Sequence, residues 1–66
     1  MNTTEERKGY LAHSDNEMLV DTFERFAKHA SDPFKFADIF GVSVEVILED
    51  YELAKAELLL RLNAVK

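Results

Sequence analysis

Apolar residues recur along this chain at the spacing of an α-helix rather than of a β-strand. After residue 14 they return at steps of three and four, which places them on one helix face. The polar segment that precedes them is a typical helix start, because Ser14 can accept from an unpaired backbone N–H and Glu17 can reach back. The pattern predicts a first helix over about 15–30. Its apolar face consists of Leu19, Phe23, Phe26 and Ala30.

Two more helices are predicted after the first, on either side of a glycine. Pro33 suits the first position of a short helix over about 33–40, and Gly41 suits its end. Ser43 then suits the cap of a long helix over about 44–63. The short helix carries three phenylalanines that we expect in the core: Phe34, Phe36 and Phe40.

The long helix carries two apolar stripes, which lie roughly 120° apart at about 100° per residue. The first consists of Ile47, Tyr51, Ala54, Leu58, Leu62 and Val65. The second, the predicted seam, consists of Val46, Leu53, Leu60 and Ala64. One stripe can pack on the two shorter helices, and the other then needs a partner. We therefore predict self-association through the predicted seam.

The first thirteen residues show no apolar stripe. A weak helix start at Thr3–Glu6 is followed by Gly9, which disfavours a helix, and only Tyr10 and Leu11 offer apolar anchors. We expect a flexible or frayed arm over 1–13. The remainder, 14–66, is predicted to form a single all-α domain of three helices.

Composition limits how this domain can be stabilised. A chain of 66 residues typically gains only about 3–5 kcal/mol from its core. It has no cysteine for a disulfide, and its two histidines, His13 and His29, lack further ligands nearby. Oligomerisation is the remaining support, and we expect a homodimer without metal or cofactor. No apolar run approaches the roughly 20 residues of a membrane span, so a cytoplasmic protein is expected.

Residues 33–52 resemble a helix-turn-helix. Ala37 matches the small residue where the helices approach, Gly41 the turn, and Val42 and Ile47 the apolar positions that follow, while Asp50 departs from the usual apolar residue. The resemblance implies that the second helix would lie in the DNA groove. The positions that would face DNA are Ser43, Val44, Glu45, Leu48, Glu49 and Glu52, none of which is basic.

Acidic residues at these positions argue against nucleic acid as a direct partner. The chain carries a formal charge of −5, and glutamates would repel phosphates. Glu45, Glu49 and Glu52 form a candidate acidic docking face for a basic protein. The same residues also fit a solvated first turn favoured by the helix dipole, and the sequence leaves both interpretations open.

These observations favour a small acidic, non-enzymatic interaction module: an adaptor, inhibitor or assembly factor of the kind found in phages or bacteria. No catalytic set is evident, because each serine between residues 14 and 43 suits a helix cap. We expect no small-molecule substrate and no membrane. The alternative is a transcriptional or packaging regulator that binds DNA weakly through Arg7, Lys8 and scattered basic residues, or only within a complex.

Overall fold

The computed structural model describes residues 4–64, which form four α-helices and no β-strand. The helices are α1 (Thr4–His13), α2 (Asn16–Ser31), α3 (Pro33–Phe40) and α4 (Val44–Ala64). The all-helical class is confirmed, and α2, α3 and α4 match the three predicted helices within a residue or two. The count of three was too low, because α1 occupies most of the segment expected to be an arm. Predictions for residues 1–3 and for Val65 and Lys66 lie outside the described residues.

The junction between α1 and α2 uses its polar residues differently from the prediction. Asp15, rather than Ser14, caps α2, and its carboxylate accepts from the backbone N–H of Met18 at 2.8 Å. The Ser14 hydroxyl instead donates to the Tyr10 carbonyl at 2.9 Å, which satisfies one free acceptor at the end of α1. One short polar segment therefore ends one helix and begins the next.

The junction between α3 and α4 follows the expected chemistry. Gly41 has φ 68° and ψ 34°, the left-handed conformation that glycine adopts without strain. The N–H of Val42 then reaches back to the carbonyl of Ala37 at 3.0 Å. Ser43 accepts from the N–H of Val46 at 3.3 Å and so caps α4.

Helix α4 is the long element on which the other three pack. Helix α1 runs parallel to it, since the Thr4 hydroxyl donates to Glu49 near the start of α4 while the Leu11 carbonyl accepts from Arg61 near its end. Helix α2 runs antiparallel, since Asn16 at its start accepts from Arg61 near the end of α4, while Phe23 farther along stacks on Tyr51 at a centroid separation of 5.4 Å. The shape measures 39 × 23 × 16 Å. None of the helices within residues 4–64 is long and apolar enough to cross a membrane.

The core is small and lies where α1 and α2 meet α4. Its centre is Leu11, Leu19 and Ala54, with Phe23, Phe26, Leu53 and Leu58 packed around it. The phenylalanines of α3 contribute less than predicted. Phe34 is 76% exposed, whereas Phe36 and Phe40 lie beside the His29 ring at centroid distances of 4.7 and 4.9 Å. Phe34, in the first turn of α3, therefore lies outside the core.

Candidate interaction surfaces

The predicted seam does not form one continuous exposed surface. Val46 is half-buried, and Leu53 is half-buried because it packs on the core cluster. Only Leu60 and Ala64, near the end of α4, are exposed. The structure therefore divides the four residues into a covered part and a free part.

Helix α1, which the sequence did not predict, covers part of the predicted seam. Leu11 of α1 is buried next to α4, and a groove of about 260 Å³ remains between the two helices. Its lining is Lys8, Leu11, Leu53, Ala56, Glu57 and Leu60. Helix α1 of the same chain thus covers part of the apolar surface that was expected to bind a second subunit.

Exposed leucines concentrate on the last turns of α4. Leu59, Leu60 and Leu62 are 50%, 65% and 66% exposed, and Leu48 near the start of the helix is 42% exposed. Leu48, Leu59 and Leu62 share the side of α4 that faces away from α1 and α2. We call this set, together with the two exposed charged residues between them, the outer stripe: Leu48, Glu52, Lys55, Leu59 and Leu62.

The predicted acidic face is partly neutralised from within the chain. Arg7 of α1 forms an ion pair with Glu49, which also accepts from the Thr4 hydroxyl at 2.8 Å. Glu45 and Glu52 are exposed and take part in no ion pair with residues 4–64. The structure therefore ties one of the three glutamates to α1 and leaves two free.

Asp50 lies beside this ion pair and is the residue that departs from the helix-turn-helix pattern. Its Oδ1 is 3.0 Å from Arg7 Nε, but the two buried atoms lack hydrogen-bond geometry within the described part of the chain. Burial raises the pKa of Asp50 above its ordinary value, while the nearby Arg7 charge opposes the shift. A charged residue is tolerated at this half-buried position because α1 brings a cation to it.

A cleft of about 270 Å³ opens next to Asp50. It is lined by Arg7, Tyr10, Leu11, Phe26 and Asp50. The only charged groups in it already contact each other, so the cleft offers little free polar chemistry for a ligand. Within residues 4–64, no three histidine or carboxylate side chains are grouped closely enough to hold a metal ion.

Arg61 has a structural role that its position in the sequence did not indicate. Its Nη2 donates to the carbonyls of Leu11, Ala12 and Ser14 at 3.0, 3.1 and 2.6 Å. Its Nη1 and Nε donate to Asn16 and Glu57. This side chain therefore caps α1 and fixes the α1–α2 junction on α4. The available signal was only a basic residue near the end of the long helix, which also fits a dipole effect.

Comparison with known proteins adds no further constraint. No family model, curated protein or solved structure matches the chain.

Proposed function

We propose that this chain is a small non-enzymatic interaction module that self-associates through exposed apolar residues of α4. The main support is a group of three leucines near the end of α4, Leu59, Leu60 and Leu62, each of which is at least half exposed. Single exposed leucines are normal, but several within four residues of one helix on a small domain favour an interface. A role as an adaptor, inhibitor or assembly factor would suit such a module.

The small core supports the same proposal. Only one large side chain in the described part of the chain, Leu19, is fully buried. Among residues 4–64 five hydrophobic residues are buried, and two of them are alanines: Leu11, Leu19, Ala37, Ile47 and Ala54. Because small domains bury little surface, covering further leucines between subunits would add the stability that the monomer lacks.

Self-association is favoured over docking of a basic protein on the acidic face. Arg7 already pairs with Glu49, so the remaining acidic surface consists of Glu45 and Glu52. Two exposed carboxylates give weak, salt-screened attraction. The same ion pair weakens the alternative of a DNA-binding regulator, because it occupies one of the cations that this role would use.

The proposal is tested by light scattering after size exclusion over a protein concentration series from about 1 μM to about 1 mM, the range of modest affinities. We expect a dimer mass that rises with concentration. A monomer at every concentration would refute self-association. In parallel, fluorescence anisotropy with a duplex DNA should detect no binding at physiological salt, whereas salt-sensitive binding would support the regulator instead.

A further inference from the structure

We propose that two copies of this chain pair through α4 in the antiparallel direction, with the outer stripe at the contact. This inference rests on the proposed self-association and adds the surface, the direction and the register. It depends on a row of leucine and charged side chains on α4 that is complementary to a second copy of the same row running in the opposite direction. The occupant of the outer stripe is therefore a second copy of the same stripe.

The outer stripe has the spacing of a helix-pairing seam. Its residues follow one another at steps of four, three, four and three, the heptad spacing of paired helices. All five lie on the exposed side of α4. Glu52 and Lys55 at its centre take part in no ion pair with residues 4–64, so both charges are available to a partner.

A two-fold axis that crosses α4 midway between residues 53 and 54 brings complementary residues together. In that register Leu48 lies level with the partner's Leu59, and Glu52 lies level with the partner's Lys55. Symmetry repeats each contact, which gives two leucine layers outside two opposite-charge layers, and Leu62 lies beyond them, level with the partner's Glu45. Antiparallel helices place such residues side by side across the seam.

Parallel pairing of the same stripe fails on charge. A two-fold axis along the helix would place Glu52 against the partner's Glu52 and Lys55 against the partner's Lys55. Like charges at the same level of a seam oppose association. Charge therefore selects the antiparallel direction.

The predicted seam cannot give an equivalent interface. Half of it is covered within the chain, since Leu53 packs on the core and Val46 is half-buried. Exposed Leu60 lies at the groove beside α1, about a quarter of a turn or more from the outer stripe at about 100° per residue. Leu60 is therefore a useful control for an interface on the outer stripe.

Charge reversal tests the proposed register. Glu52→Lys places a lysine side chain level with the partner's Lys55, twice per dimer, and we expect the dimer dissociation constant to rise by about tenfold. Lys55→Glu should weaken the dimer by a similar factor. The double variant Glu52→Lys/Lys55→Glu restores opposite charges and should recover most of the lost affinity. Failure of the double variant to recover would overturn the register.

Net charge and folding require matched controls. Glu24→Lys changes the net charge by the same amount as Glu52→Lys. Glu24 occupies an exposed position on α2, so this variant should leave the dimer intact. Circular dichroism should show the same helicity for all variants, because the exchanged side chains are exposed. If Glu52→Lys and Glu24→Lys have equal effects, the outer stripe is not the interface.

Leucine substitutions separate this inference from the proposed function. Leu59→Glu should abolish the dimer at concentrations where Leu60→Glu retains it. If Leu60→Glu abolishes the dimer and Leu59→Glu retains it, the outer stripe is not the interface. Self-association would then occur through the predicted seam. A parent chain that stays monomeric at every concentration would refute both.

Engineered thiols provide a direct measurement of direction, because the chain has no cysteine of its own. Glu52→Cys mixed with Lys55→Cys should give a mixed disulfide in preference to either symmetric one. Dominant symmetric disulfides would indicate parallel pairing and overturn the proposal.

Discussion

Replacement of Arg61 by alanine should be the most damaging single change to a charged residue in this fold. Arg61 is on α4, but four of its hydrogen-bond acceptors belong to the end of α1, the junction and the start of α2. Its fifth acceptor is Glu57, one turn earlier on α4. Loss of this side chain therefore releases α1 as well as a salt bridge.

The expected loss of unfolding free energy follows from the number of Arg61 hydrogen bonds that water cannot fully replace. Each hydrogen bond to a charged group typically contributes about 1.5–3 kcal/mol. Two hydrogens on Nη2 serve three carbonyls, and the Arg61 side chain is 23% exposed, so the contributions do not simply add. We expect Arg61→Ala to lower the free energy of unfolding by about 2–4 kcal/mol, a large part of the roughly 3–5 kcal/mol typical of this size.

Urea and thermal unfolding followed by circular dichroism measure this loss. For a chain of this length the expected decrease in Tm is about 8–30 °C. All variants need the same protein concentration, because dimerisation would contribute to apparent stability. Arg61→Lys should fall between the parent and Arg61→Ala, since lysine keeps the charge but cannot reach several acceptors at once.

Arg25→Ala is the matched control. Arg25 also pairs with a carboxylate four residues earlier, at 3.1 Å from Asp21, but both side chains are about two-thirds exposed. An exposed pair of this kind contributes about 0.3–0.5 kcal/mol. Equal losses for the Arg61 and Arg25 variants would refute the argument that Arg61 holds α1 in place.

Three further predictions concern glycine and proton binding. Gly9→Ala should stabilise the chain by about 0.5–1 kcal/mol, because Gly9 lies within α1 with open space where a Cβ would lie. Gly41→Ala should destabilise it by about 1–2 kcal/mol, because only Gly41 has a positive φ among residues 4–64. Asp50 binds its proton more tightly in the folded chain, so its stabilising contribution is present below its ordinary pKa and is lost as pH rises through the raised pKa. Urea unfolding across that pH window should show the decrease in the parent but not in Asp50→Asn; parallel curves would contradict it.

The sequence predicted those helices that have local start and stop signals. Pro33, Gly41 and Ser43 specify their own backbone or cap geometry, and the boundaries of α3 and α4 followed from them. Helix α1 was missed because it carries one buried anchor, Leu11, instead of a periodic apolar face. Gly9 further suggested an interruption that α1 does not have. Its attachment depends on contacts that join residues more than forty positions apart, as from Arg7 to Glu49.

The candidate surfaces were predictable only where they do not depend on α1. The abundance of leucine on α4 correctly indicated more apolar surface than one face could bury. Which leucines stay exposed depends on tertiary packing, and that could not be read from spacing alone. Asp50 offered one usable signal, because an acid at a half-buried position requires a cation nearby.

The addition of α1 changes where a second copy could bind. Without α1, Leu53 and Leu60 would share an open face, and the predicted seam would be the natural interface. Because Leu11 packs near Leu53 and Arg61 fastens the end of α1, that face is partly closed. The apolar surface still open along the length of α4 is the outer stripe. Its central Glu52 and Lys55 then select antiparallel pairing, since only that direction places each charge opposite its complement.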